Sequence, residues 1–340
     1  MTHSRSTLRR RERRAGACVA VAGDAARPAA LIAFLSTLSP RDDLAVALVA
    51  SGEGAQAALD LARAHAPKGV GLERAVDGVE LLAGRIYIIP DAIAATVIDD
   101  RFLLAPTSPA DGRVDTLFLS VAEAFRERAV LVVMAGLGAD GAAGFSASKS
   151  LGGFSLAERA VEAVAESERG TAADVADLVA PPGEMNGHIA AYLNGVTRRG
   201  DGASAARGDT QLASDEAVAR IVSILRHVTG NDFHGYKRAT FLRRIERRMQ
   251  VAGLDDVERY IERLREDKVE VRHLFQDLLI GVTQFFRDAD EFAFLETHVM
   301  PRLFEGKGPE DRLRVWVLGC ASGEEAYSLA ILLREQMERL

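Results

Sequence analysis

The sequence predicts an α/β protein made of a parallel-sheet domain, a small all-α domain and one strand–helix unit of a second α/β domain. Three observations predict this order. Short apolar runs alternate with alanine-rich stretches over residues 17–195, helical periodicity continues from residue 215 to about residue 302, and a strand pattern at residues 315–318 runs into a glycine loop and another helix. Continuous apolar strands separated by helices are typical of a parallel sheet covered on both faces.

The elements of the first region are strands and the helices between them. The strand runs are residues 17–23, 43–51, 84–90 and 129–136. The basic stretch at residues 1–15 predicts a disordered tail. Residues 196–214 are rich in Gly, Ala, Ser and Arg without a hydrophobic period, which predicts a linker. The first domain is therefore assigned to residues 16–195.

Helical patterns fill residues 215–305, which we assign to the all-α domain. Gly230, Gly253 and Gly281 stand at or near the ends of these patterns, where helix C-termini favour glycine. Residues 306–340 then hold the start of the second α/β domain.

The helix predicted over residues 236–249 has an apolar face and a basic face. The apolar side chains recur at four-residue spacing and are predicted to pack inward; they are Phe241, Ile245 and Met249. Arg243 stacks one turn from Arg247, and Arg244 one turn from Arg248, at a cost of about 0.2–0.5 kcal/mol per pair. An exposed face that accepts this repulsion indicates an acidic partner. The alternative is a solvated surface, and the spacing by itself favours neither.

Bulk composition narrows the functional class. The net charge of −7 argues against general nucleic-acid binding. No apolar run approaches the roughly 20 residues needed to cross a bilayer. Cys18 and Cys320 lie in apolar settings and fit reduced thiols, not a disulfide framework or a metal site. We therefore expect a cytoplasmic protein without membrane insertion, nucleic-acid partner or bound metal.

The glycine loop after the last strand pattern reads GCASGEE and predicts a nucleotide-type cofactor site. Gly319 and Gly323 let the backbone approach a ligand closely, and the free N–H groups of the next helix face it. Ser322, Glu324 and Glu325 either contact that ligand or cap the helix.

Three segments in the second half resemble the chemotaxis receptor methyltransferase family, the CheR type. They are TGNDFHGYKRATFLRRIERRM at residues 229–249, LLIGVTQFFRDADEF at 278–292 and VWVLGCASGEEAYSLAILL at 315–333. The resemblance covers about residues 215–340 and implies a Rossmann-like domain that binds S-adenosylmethionine after the all-α domain. It also implies a reaction, the transfer of a methyl group to glutamates on the cytoplasmic helices of a chemoreceptor.

The same resemblance assigns roles to individual residues. Thr283 and Arg287 would form one wall of the cofactor pocket, on one helical face if the helix continues, with the arginine holding the cofactor carboxylate. Family members often have Asn where this chain has Gly281. The glycine-loop residues would form the facing wall; they are Gly319, Ser322, Gly323, Glu324 and Glu325. The basic face would dock the receptor; its residues are Arg243, Arg244, Arg247 and Arg248.

The end of the sequence bears on activity. A dinucleotide-type fold places an acidic residue about 20 positions beyond its glycine loop, which falls at Leu340. The chain is therefore expected to be truncated at its C-terminal end relative to the family. We expect it to bind S-adenosylmethionine weakly or not at all.

The first region resembles the receptor methylesterase family, the CheB catalytic domain. The segments that carry this are DGVELLAGRIYIIP at residues 77–90, DTLFLSVAEAF at 115–125 and VVMAGLGADGAAGF at 132–145. Asp140 then stands at the aspartate position of the family's Ser–His–Asp triad. Asp24 falls at the serine position, and Ser51 at or next to the histidine position. Because aspartate is a weak nucleophile for an ester and no base is positioned to activate a serine, this domain is expected to lack esterase activity. Asp140 would then be a turn residue.

Three interpretations of the whole chain stay open. In the first, it is a fused methylesterase-like and methyltransferase protein of a chemotaxis or related sensory pathway. In the second, it is a non-catalytic scaffold that docks a receptor or signalling partner. In the third, it is a fragment of a longer gene product.

Overall fold

A computed structural model describes residues 13–39, 41–51, 54–107, 112–137, 140–158, 172–200, 214–279, 285–308, 311–320 and 323–339. The chain divides into two compact units, Met1–Leu279 and Ile280–Leu340. The first unit holds both the parallel sheet and the helical bundle. The predicted boundary between residues 305 and 306 lies inside the second unit.

Seven parallel strands form the sheet of the first unit, in the order β3-β4-β2-β1-β7-β8-β9. The strands are β1 Ala17–Gly23, β2 Leu44–Ala50, β3 Gly71–Arg74, β4 Arg85–Ile88, β7 Ala129–Val133, β8 Phe154–Glu158 and β9 Leu178–Ala180, while β5 Ile93–Ile98 and β6 Arg101–Pro106 form a separate antiparallel hairpin. The predicted strands correspond to β1, β2, β4 and β7. Each residue of β1, β2 and β7 is buried, which is why these runs are continuously apolar.

Helices cover both faces of the sheet. They are α1 Pro28–Thr37, α2 Ala55–His65, α3 Arg113–Phe125, α4 Ala142–Leu151, the short α5 Ala172–Val175 and α6 Pro182–Gly200. Val19 and Val21 of β1 contribute to the core shared with α1, α2 and α6. Cys18 and Ala20 contribute to the core on the opposite face, with α3, α4 and the hairpin. The alternation follows the two-residue period of a strand.

Two predicted unstructured segments are partly ordered. The carbonyl of Arg13 accepts a hydrogen bond from Ala83 N, and Ala15 N donates to the carbonyl of Leu81, both at 2.9 Å. The tail prediction is therefore wrong for residues 13–15, because this stretch pairs with the segment before β4; residues 1–12 lie outside the described residues. The linker prediction is wrong for residues 196–200, which continue α6 because Val196 packs against the sheet core.

The helical bundle contains four helices: α7 Asp215–Thr229, α8 Arg238–Val251, α9 Val257–Glu266 and α10 Lys268–Leu279. Its core includes Phe241, Ile245 and Met249, as their spacing predicted. Gly230 follows α7 with a φ of 76°, a left-handed conformation that glycine adopts without steric cost. Gly281 lies outside the described residues.

The second unit contains α11 Ala289–Phe294, a π-helical turn Leu295–Val299, α12 Met300–Phe304 and α13 Glu324–Arg339. The predicted strand before the glycine loop is not formed. Trp316 is 85% exposed and Leu318 is 72% exposed. A strand needs a hydrogen-bonded neighbour, and the described residues of this unit include no other strand. Within the described ranges, no helix combines the length and apolar character needed to cross a membrane.

Candidate functional site

The first candidate site is a cleft of about 540 Å³ beyond the C-terminal ends of β2 and β4. Ser51 and Asp140 both line it, together with Asp91 and Arg113. Ser51 Oγ donates a hydrogen bond to Asp24 Oδ1 at 3.1 Å. The structure therefore gathers the three residues aligned with the triad positions at one edge of the sheet, where ligands bind in open parallel α/β folds.

Asp140 serves in this cleft as a helix cap. Its carboxylate accepts hydrogen bonds from Val114 N at 3.1 Å and Asp115 N at 2.9 Å. A negative charge at the N-terminus of α3 is favoured by the helix dipole. The sequence predicted that Asp140 would be a turn residue if the triad is lost. This prediction is incomplete, because the Asp140 carboxylate also caps α3, a different segment of the chain.

The described lining of the cleft contains no histidine that could act as a base for Ser51. His65 is the last residue of α2. Arg113, which the sequence analysis missed, donates from Nε to the carbonyl of Ile93 at 2.9 Å and from Nη2 to that of Pro90 at 2.8 Å. Burial lowers the pKa of Arg113. Its position before an apolar helix offered no signal for this role.

The second candidate site is the predicted cofactor wall, in the second unit. Thr283 and Ser322 lie outside the described residues. Arg287 is exposed and is not helical, because Phe286 and Asp288 adopt positive φ values of 50° and 59°. The predicted helix therefore does not continue through Arg287.

Two contacts nevertheless bring the segment of Arg287 beside the helix that follows the glycine loop. Phe286 N donates to Ser328 Oγ at 2.9 Å, and the rings of Phe285 and Tyr327 lie 6.5 Å apart. Ser328 belongs to the second turn of α13, so the two predicted walls are neighbours.

The glycine loop fits a close ligand. Gly319 and Gly323 have φ values of 67° and 104°, and no atom lies within 4 Å of the place where a Cβ would stand on Gly319. Glu324 and Glu325 occupy the first turn of α13. At Gly323, directly before α13, a Cβ would lie 3.3 Å from the Tyr327 ring, so the open glycine backbone is at Gly319. Glycine backbone before a helix N-terminus is the local geometry that a nucleotide-type cofactor uses.

The third candidate site is the basic face of α8, and here the structure corrects the sequence analysis. Arg244, Arg247 and Arg248 are only 2%, 4% and 1% exposed. The prediction of an exposed face is wrong for these three and holds for Arg243 alone. The physical reason is that carboxylates of the same chain neutralise Arg247 and Arg248, while a backbone carbonyl accepts a hydrogen bond from Arg244.

Each buried arginine has defined partners. Arg247 bonds Asp277 Oδ2 at 2.5 Å and also contacts Asp177. Arg248 forms a two-pronged pair with Glu270, at 2.9 and 2.6 Å. Arg244 Nη1 donates to the carbonyl of Lys149 at 2.9 Å, near the C-terminus of α4, where a cation is favoured by the helix dipole.

Asp177 lies at the centre of this network, just before β9. Its Oδ2 accepts from Ser155 N at 3.0 Å and Ser155 Oγ at 2.8 Å. Lys149 Nζ lies 3.7 Å from Oδ1, and Arg248 Nη1 lies 3.4 Å from it. Burial alone would raise the pKa of Asp177, but Arg247, Lys149 and Arg248 hold it well below its usual range. We name Lys149, Asp177, Arg244, Arg247, Arg248, Glu270 and Asp277 the buried charge network.

The acidic members of the buried charge network were missed, although α10 carried a signal for two of them. Glu270 and Asp277 share the buried face of α10 with Val271, Leu274 and Leu278. Charged residues on an apolar stripe are rarely buried unless they are paired. Asp177 had no such signal, because it lies in a short segment without helical period.

By its fold, the chain is a parallel α/β protein joined to a helical bundle that carries buried arginines. Its cleft lies at the strand ends, as in an α/β esterase, and the described lining of that cleft contains no histidine. The family model of the CheB methylesterase matches residues 19–189, half of the chain. The model of the all-alpha domain of the CheR methyltransferase matches residues 216–279, and that of its SAM binding domain matches residues 281–340. The chain belongs to the CheB methylesterase family and carries CheR methyltransferase domains after the esterase-like one.

Three similar proteins differ in how much of this chain they match. A 104.1 kDa protein from the hypE 3' region of Rhodobacter capsulatus is 37% identical over 287 residues, which cover 77% of this chain and 30% of that protein. The chemotaxis protein methyltransferase of Salmonella typhimurium is 32% identical over 126 residues, covering 36% of this chain and 41% of that protein. That of Borreliella burgdorferi is 28% identical over 131 residues, covering 37% of this chain and 46% of that protein.

A solved structure is also similar. The CheB methylesterase catalytic domain of Thermotoga maritima matches 52% of this chain and 97% of its own, with a TM-score of 0.42 and 20% identity. The chain spans between about a third and a half of the length of these curated relatives.

The buried charge network predicts a large stability effect at Asp177. The substitution Asp177→Asn keeps the shape of the side chain but removes the carboxylate that Arg247, Arg248 and Lys149 share. We expect the free energy of unfolding to fall by about 3–5 kcal/mol, measured by urea denaturation. Asp255→Asn is the matched control, because Asp255 pairs with Arg198 at the surface and should cost less than about 1 kcal/mol. Equal losses for both variants would contradict the central role of Asp177.

The same carboxylate predicts a pH dependence. Since the folded-state pKa of Asp177 is lowered, its contribution is fully present above its unfolded pKa of about 3.9 and is lost as the pH falls below that value. The difference in Tm between wild type and Asp177→Asn should therefore be constant from neutral pH down to about pH 5 and shrink below about pH 4. A constant difference at all pH values would show that the carboxylate charge is not what stabilises the fold.

Proposed function

We propose that this chain is part of a chemotaxis protein that modifies receptors, in which the methyltransferase domains carry the reaction and the esterase-like domain does not hydrolyse methyl esters. The observation that carries the second statement is the hydrogen bond between Ser51 and Asp24. In a serine esterase the nucleophile is a serine that donates to a histidine. Here Ser51 donates to the carboxylate of Asp24, and a carboxylate is a poor base for a hydroxyl.

The proposed methyl transfer needs little acid or base assistance. A receptor glutamate is already ionised and acts as the nucleophile, and S-adenosylmethionine supplies an electrophilic methyl group on a sulfonium. The protein then contributes positioning, which lowers the barrier by removing the entropy cost of bringing the two groups together. We propose that Arg287, Gly319, Gly323, Glu324 and Glu325 hold the cofactor, and that Thr283 and Ser322 complete the same pocket.

We also propose that the basic face docks the receptor, but through Arg243 alone. Arg243 is exposed and is available to an acidic helix as the structure stands. Arg244, Arg247 and Arg248 would have to leave the buried charge network first. Unpairing a buried arginine is costly, so we propose that these three chiefly hold the esterase-like domain against the helical bundle.

A second candidate function is a non-catalytic scaffold. The observation that favours it is again the buried charge network, since it gives the esterase-like domain a structural role that does not depend on its cleft. The methylesterase-like domain at residues 16–195 and the helices that follow it would then act as one rigid platform for a receptor or signalling partner.

The absence of esterase activity predicts that wild-type protein releases no methanol from a methylated receptor fragment beyond the rate in buffer. A CheB esterase with an intact triad serves as the positive control. The single substitution Asp24→Ser should also release none, because a serine without a base stays unactivated. Methanol release by wild type that is abolished in Ser51→Ala would contradict the proposal.

If Arg287 holds the cofactor, replacing it should lower the affinity for S-adenosylmethionine. An arginine that holds a carboxylate contributes about 1.5–3 kcal/mol, so Arg287→Ala should weaken S-adenosylmethionine binding by roughly 10- to 100-fold. Saturation-transfer difference NMR detects even weak binding. Arg302→Ala is the matched control, since Arg302 is an exposed arginine of α12 in the same unit. Equal signals from both variants would remove Arg287 from the pocket.

A further inference from the structure

A basic pocket lies beside the basic face of α8, between the helical bundle and the esterase-like domain, and is separate from the strand-end cleft and the predicted cofactor wall. It measures about 200 Å³ and lies where the short turn Arg126–Arg128, the C-terminal end of α4 and α8 meet. The charged residues that line it are Arg126, Glu127, Arg243, Arg244, Glu246 and Arg247. Four guanidinium groups thus face two carboxylates across one small volume.

Two of the arginines that line the pocket also contain an unpaired buried nitrogen atom. Arg244 Nε and Arg247 Nε are buried donors without a hydrogen-bond partner in the described part of the chain. Both residues line the pocket, and both are more than nine-tenths buried. Folded proteins leave few buried polar atoms unpaired, and each such atom calls for an explanation such as a bound ion.

The charges at this place are also unbalanced. The buried charge network sets four cations against three carboxylates. Arg247 and Arg248 each contact carboxylates, whereas Arg244 donates a hydrogen bond to the backbone carbonyl of Lys149. Burial lowers the pKa of Arg244, which reflects a charge that its surroundings do not fully compensate.

Two further arginines at the pocket are available to a ligand. Arg126 and Arg243 are exposed, and within the described ranges their side chains have no hydrogen-bond or ion-pair partner. Arg126 belongs to the esterase-like domain and Arg243 to the helical bundle. An anion between them would therefore contact both domains.

We propose that this pocket binds a small phosphate-type oxyanion, held by Arg126, Arg243 and Arg244. Guanidinium forks match the geometry of phosphate oxygens and bind them in bidentate fashion. The volume lies below the roughly 300–1,000 Å³ of pockets for drug-sized ligands, so it suits a phosphate group better than a large ligand. The bound anion supplies the missing negative charge beside Arg244 and links the two domains. This inference does not depend on the methyl-transfer proposal.

Thermal unfolding of the full chain tests the proposal. Inorganic phosphate should raise Tm by about 3 °C or more relative to chloride at matched ionic strength, because a ligand that binds only the folded state stabilises it. Arg126→Gln and Arg243→Gln should each lose most of this rise. Both side chains are exposed, so neither substitution should disturb the core. Arg128→Gln is the matched control, since Arg128 is an exposed arginine of the same turn that does not line the pocket.

Direct binding provides a second measurement that does not rely on stability. The ³¹P NMR signal of phosphate should broaden with wild type and with Arg128→Gln but not with the Arg126→Gln, Arg243→Gln double variant. Adenosine monophosphate distinguishes the two sources of the group: tighter binding than phosphate indicates a phosphorylated metabolite, and equal or weaker binding indicates free phosphate. No Tm rise in wild type, or the same rise and broadening in wild type and the double variant, would overturn the proposal.

Discussion

The fold of the first unit depends on one buried carboxylate. Asp177 is 2% exposed and lies within bonding distance of two arginines from the helical bundle and one lysine from the sheet domain. A charge taken out of water is costly unless it is paired and hydrogen-bonded. Asp177 and its partners satisfy that constraint together, which allows the two domains to be buried against each other. The contact also explains why the sheet domain and the bundle form one compact unit.

This constraint changes the meaning of the basic helix. Four arginines spaced one turn apart repel one another weakly on an isolated helix. In the folded chain the repulsion is outweighed, because three carboxylates and the C-terminal carbonyls of α4 surround three of the guanidinium groups. A basic surface that resembles a docking site for an acidic partner is largely occupied by acidic groups of the same chain. Arg243 is the part of it that a partner can reach without disrupting the core.

The esterase-like domain keeps a strand-end cleft in which other residues stand at the family's triad positions. The strand-end cleft is still present, and residues at the triad positions still lie near one another. Asp24 accepts a hydrogen bond from Ala26 N in a turn, and Ser51 donates a hydrogen bond to Asp24. Asp140 caps α3. Function depends on the identity of a few side chains at a site, whereas the fold depends on the whole core. The surface that carries α4 and Asp177 gives the domain a separate reason to be retained.

The sequence by itself determined most element types of the sheet domain and of the helical bundle. Strands β1, β2, β4 and β7 were predictable because burial on both faces requires continuous apolar residues, and the inward face of α8 was predictable from its helical period. Glycine positions marked the loop before α13. Tertiary structure alone decided where the charges of α8 lie. Arg247 and Asp177 are 70 positions apart, and local periodicity does not encode which distant groups share a buried volume. An arginine stripe has the same spacing whether water or carboxylates surround it, so only the packed chain distinguishes a docking surface from an internal contact.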